Sequence, residues 1–81
     1  MLSDLDRSLL DFEARWPGHT SAKEEAVRAE LELAPARYYQ LLGRLIERED
    51  ALVYDPLLTG RLRRSRDERR RERDRRMSAA S

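Results

Sequence analysis

The sequence predicts an all-α protein, a three-helix helix-turn-helix core followed by a C-terminal arginine-rich helix. Apolar residues recur at helical spacing in successive segments, and cap residues and prolines stand where those segments would begin or stop. Charged residues make up 41% of the chain, far above the roughly 25% of ordinary globular proteins, so much of it must be solvated or bound. With 81 residues there is room for one modest core. The expected organisation is a helix-turn-helix core at residues 1–60 and a basic helix or tail at residues 61–81.

Leu5, Leu9, Phe12 and Trp16 share one face of a first helix over about residues 4–16. Ser3 caps it with Asp6 as a short capping box, and Trp16-Pro17-Gly18 ends it because proline disfavours a helical residue before it. A second helix starts at Thr20 or Ser21, where Ser21-Ala22-Lys23-Glu24 fits a capping box, and continues through Ala26, Val27 and Leu31. Glu32, Leu33 and Ala34 connect it to a third helix opened by Pro35. There Tyr38, Leu41, Leu42, Leu45 and Ile46 form one stripe, while Gly43 costs about 1 kcal/mol against alanine and hints at close packing or a close ligand. Residues 51–54 read as an irregular connection or a very short strand. Asp55-Pro56 then caps and opens a fourth helix anchored by Leu57, Leu58 and Leu62. Beyond Leu62 no apolar stripe remains. Asp67 with Arg71 and Glu72 with Arg76 support a solvated helix to about residue 76, prone to fray without a charged partner, and residues 78–81 read as loose.

The net charge of +1 conceals a segregation. Residues 1–60 hold 7 Lys and Arg against 12 Asp and Glu, a balance of −5; residues 61–81 hold 10 Arg against 4 acids, a balance of +6. Such a distribution points to a polyanionic partner. The absence of cysteine excludes disulfides and thiolate metal sites, and a single histidine leaves only scattered carboxylates, so neither metal nor cofactor is expected. No run approaches the roughly 20 apolar residues of a membrane span, and no signal-peptide pattern opens the chain, which makes the cytosol the expected setting. Catalysis is not expected: a nucleophile needs a base and an orienting group in a pocket, and so short a helical chain offers little volume for a substrate.

Two short helices joined by about three residues have the layout of a helix-turn-helix. Opposite the apolar stripe of the third helix, Arg37, Gln40 and Arg44 leave on one side, and Tyr39 lies beside them. Arginine pairs bidentately with guanine and glutamine with adenine in the major groove, although a plain solvated surface has the same pattern. Lys23, with Thr20 and Ser21, surrounds a helix N-terminus suited to a phosphate. In the run over residues 61–76, Arg61, Arg63, Arg64 and Arg66 lead a cationic segment built almost wholly of arginine, whose planar fork suits phosphates and narrow minor grooves. Double-stranded DNA is therefore the expected partner. Structured RNA remains an alternative, as does a protein-interaction role docking on RNA polymerase or an acidic partner.

The stretches Leu10-Asp11-Phe12-Glu13 with Trp16, Ala22-Lys23-Glu24-Glu25-Ala26, Ala36-Arg37-Tyr38-Tyr39-Gln40-Leu41-Leu42 and Asp55-Pro56-Leu57-Leu58 resemble a family of small actinobacterial proteins catalogued as a domain of unknown function, over about residues 5–66. That family includes a mycobacterial nucleoid-associated protein. The resemblance implies DNA binding with self-association in the nucleoid, and contacts through Arg37, Tyr39 and Gln40. The chain departs from it at Ala34, where relatives tend to carry a serine or threonine cap, and in the four acids that dilute its basic tail.

Overall fold

A computed structural model describes residues 1–80; Ser81, the last of the residues read as loose, lies outside them. Among the described residues there are five helices and no strand: α1 (Asp4–Arg15), α2 (Ser21–Leu31), α3 (Pro35–Leu45), α4 (Glu49–Tyr54) and α5 (Pro56–Ala80). Both α1 and α2 pack on α3, and α4 packs on the start of α5.

Local chemistry sets most boundaries. Asp6 N donates to Ser3 Oγ and Ser3 N to Asp6 Oδ2, both at 3.0 Å, closing the expected capping box of α1. After Trp16, the turn needs a left-handed residue, and Gly18 supplies it with φ of 86°. Of the two starts open for α2, the cap is Thr20, whose Oγ1 accepts from Lys23 N at 3.1 Å. The helix ends on Glu32, which takes the left-handed conformation (φ 55°) normally filled by glycine. Pro35 opens α3 behind Ala34, which offers no side-chain cap. Asp55 Oδ1 accepts from Leu58 N at 3.2 Å and starts α5.

The core joins Leu9, Leu10 and Phe12 of α1, Val27 of α2, Tyr38, Leu42 and Leu45 of α3 with Ile46, Ala51 of α4 and Leu58 of α5. Phe12 meets Tyr38 edge-on with centroids 5.4 Å apart and lies 6.2 Å from Trp16, a geometry that adds to plain burial. Thr59, fully buried, donates from Oγ1 to Ala51 O at 3.1 Å and fixes α5 against α4.

Several expectations need correction. Leu5 is 46% exposed, because Leu2 ahead of the helix and Leu10 take the core positions instead. Residues 51–54 belong to α4, neither strand nor irregular; its N-terminus carries Glu49 and Asp50, favourable to the helix dipole, and Arg48 grips Asp50 at 2.7 Å. Six residues are too few for a periodicity to show. Leu57 is 85% exposed, so of the three leucines only Leu58 and Leu62 pack the start of α5 against the core. Gly43 has no close packing: a Cβ there would meet nothing within 4 Å. Finally, α5 runs unbroken through Gly60 and continues to Ala80, so that residues 78–80, read as loose, are helical. Of its two expected acid-arginine pairs, Glu72 with Arg76 forms at 3.2 Å, whereas Asp67 turns to Arg66 and Arg71 donates to the Asp67 carbonyl instead.

Candidate nucleic-acid interface

The candidate residues fall into two groups once their partners are known. Arg37, Gln40 and Arg44 all lie exposed on α3. Arg37 Nη1 donates to Gln40 Oε1 at 2.7 Å, a bond that holds the two side chains side by side. Arg44, together with Arg61 and Arg64 of α5, is exposed and has no hydrogen-bond or ionic partner among the described residues. A guanidinium left with only water is ready to exchange that water for a phosphate or base edge.

The second group is already engaged. Lys23 is 1% exposed; its ammonium donates to Glu13 Oε1 at 2.7 Å and to Gly18 O at 2.8 Å, and lies 5.5 Å from the Tyr39 ring centroid. It therefore offers nothing at the α2 N-terminus to an outside phosphate. Tyr38 donates to the same Glu13 oxygen at 2.5 Å, so the three side chains form one buried polar cluster joining α1, α2 and α3. Burial first, and then the bond to Glu13, push the Tyr38 hydroxyl far above its ordinary pKa. Tyr39 is half-buried and turned towards the α1–α2 connection, its hydroxyl 3.0 Å from His19 Nδ1. Burial, with Glu13 and Glu24 nearby, raises its pKa as well.

On α5, Arg63 folds back so that Nε donates to Ile46 O, a carbonyl left open where α3 ends, and Nη2 to Arg48 O at 3.2 Å, at the start of α4. Arg66 reaches Glu47 at 3.4 Å and Asp67 at 3.3 Å. Both fasten α5 to the α3–α4 connection. A charge run read by composition cannot separate such fasteners from free cations, since the distinction depends on which acids fold beside them. Conversely, Arg69, exposed and without a partner among the described residues, belongs with Arg61 and Arg64 and was missed within the run.

Helices α3 and α5 meet across an open groove of about 630 Å³, lined by Tyr39, Leu42 and Gly43 of α3 with Ile46 just after it, by Arg61, Leu62, Ser65 and Arg69 of α5, and by Glu13 and the α1–α2 connection. Beyond it, residues 68–79 are exposed on every side of α5, a cationic rod projecting from the body. At 1.5 Å per residue the 25 residues of α5 span about 37 Å, and the molecule measures 44 × 29 × 17 Å.

These features define a small all-helical protein whose basic helix is set apart from an acidic body, and no helix among the described residues is long and apolar enough to cross a membrane. The chain belongs to the family described as Protein of unknown function (DUF3263), whose profile matches residues 1–74. No curated protein and no solved structure matches it.

Proposed function

We propose that this protein binds double-stranded DNA, with α2, the connection at residues 32–34 and α3 acting as a helix-turn-helix and α5 gripping the phosphate backbone. Arg37, Gln40 and Arg44 read base edges or their flanking phosphates, and Arg61, Arg64 and Arg69 hold the backbone. A role in nucleoid organisation or transcription regulation follows from that activity. The observation that carries the reading is selective pairing: the chain neutralises Arg48, Arg63 and Arg66 internally, yet leaves Arg44, Arg61, Arg64 and Arg69 without acidic partners among the described residues despite its 16 acids.

Fluorescence anisotropy on a duplex of about two helical turns, between 50 and 200 mM salt, tests it. Binding weakens with salt with a log–log slope of about 0.9 per phosphate neutralised, so Arg61→Gln with Arg64→Gln lowers the slope by about 2 on every sequence. Arg37→Ala or Gln40→Ala instead changes the ranking of sequences. Absence of binding at the lowest salt refutes the proposal.

One observation favours a second reading, a protein-interaction adaptor docking on RNA polymerase or another acidic partner. Val53 and Leu57 stand 82% and 85% exposed beside the α4–α5 junction, where an apolar contact would find them. Copurification that survives nuclease treatment and fails in Val53→Ser/Leu57→Ser supports it over DNA binding.

A further inference from the structure

Gly43 poses an energetic question. A glycine inside a helix costs about 1 kcal/mol against alanine, normally recovered by close approach of another part of the chain. Here nothing lies within 4 Å of where its Cβ would be, and the residue is exposed. What the missing side chain does is keep open the groove between α3 and α5.

The groove has the form of a small-molecule site. Its volume of about 630 Å³ lies within the range of ligand pockets, roughly 300–1,000 Å³. Leu42, Ile46 and Leu62 give it an apolar floor, and the His19–Tyr39 pair, rings 5.3 Å apart, adds an aromatic wall. Arg61 and Arg69 stand two turns apart on the α5 side, about 12 Å along the helix, both without partners among the described residues. Glu13 also lines the groove, but Lys23 and Tyr38 both donate to its carboxylate, so it does not oppose an anion there.

We propose that this groove binds an amphipathic monocarboxylate, its apolar body lying over Gly43 on the Leu42–Ile46–Leu62 floor and its carboxylate paired with Arg61 or Arg69. Arg61 and Arg69 both belong to the phosphate-gripping set, so occupancy lowers DNA affinity; that consequence alone rests on the DNA-binding reading.

The test is an NMR titration of the full ¹⁵N-labelled chain with 2-naphthoate, in the absence of DNA so that the two readings fail separately. Shifts at the amides of Gly43, Leu62 and Arg69 that saturate near about 1 mM, the affinity expected of a ligand this small, support the site. Gly43→Leu fills the groove without meeting protein atoms at Cβ and weakens binding at least tenfold. Arg61→Gln/Arg69→Gln, on an exposed helix face where folding is not at stake, abolishes the preference for 2-naphthoate over uncharged 2-naphthamide. Shifts that never saturate, or undiminished binding to Gly43→Leu, overturn the proposal.

Discussion

Replacing Lys23 by methionine keeps most of its buried volume and removes its charge. Glu13, 5% exposed, is then left with only the Tyr38 hydroxyl as a donor, and the Gly18 carbonyl loses its own. Removing one partner of a buried ion pair costs about 3–5 kcal/mol, because the remaining charge stays desolvated. A chain of 81 residues has roughly 4–12 kcal/mol of stability at 0.05–0.15 kcal/mol per residue, so the variant loses a large fraction of the total. Urea unfolding at 25 °C, followed by Trp16 fluorescence and by helical circular dichroism, measures this directly. Replacing the pair together, Glu13→Leu with Lys23→Met, recovers part of the loss, since no charge is left buried. What remains is the Tyr38 hydroxyl without an acceptor, about 1–3 kcal/mol, which Tyr38→Phe then relieves. A loss below about 1 kcal/mol for Lys23→Met, the value typical of an exposed pair, refutes the reasoning, as does a double variant no more stable than the single one.

Other outcomes follow from the same structure. Glu32→Gly relieves a left-handed conformation that glycine adopts freely, and raises stability by about 0.5–1 kcal/mol; an unchanged urea midpoint contradicts this. Gly43→Ala raises it by about 1 kcal/mol, visible as an increase of roughly 4–8 °C in the melting temperature, because the added methyl meets no neighbour. At alkaline pH, Tyr38, Tyr39 and Tyr54 all hold their protons more tightly folded than unfolded, Tyr54 chiefly through its bond to Asp11. Their contribution is complete below the unfolded value near about pH 10 and is lost as pH rises above it, most steeply through the fully buried Tyr38, at up to about 1.4 kcal/mol per pH unit. Tyr38→Phe flattens that decline; an identical pH profile in the variant means that burial does not hold its proton.

The sequence by itself determined that the chain is helical and where most helices begin. Those properties are local: Ser3 and Asp6 close their box within one turn, Pro35 and Asp55-Pro56 fix helix starts through backbone geometry, and the α3 stripe is read from spacing alone. The exposed trio Arg37, Gln40 and Arg44 was legible for the same reason, as the complement of that stripe. What only the tertiary structure decided is the status of each charge. Lys23 lies ten residues from Glu13 and reads as a surface cation, and becomes a buried one because the α1–α2 turn folds it over that carboxylate and beneath two tyrosine rings. Arg63 and Arg66 are chemically identical to Arg61 and Arg64 but are held by carbonyls and acids of the α3–α4 connection. Periodicity counts apolar residues and composition counts charges. Neither records which opposite charge or open carbonyl arrives from a distant segment, and that pairing separates the cations that hold this molecule together from those left facing solvent.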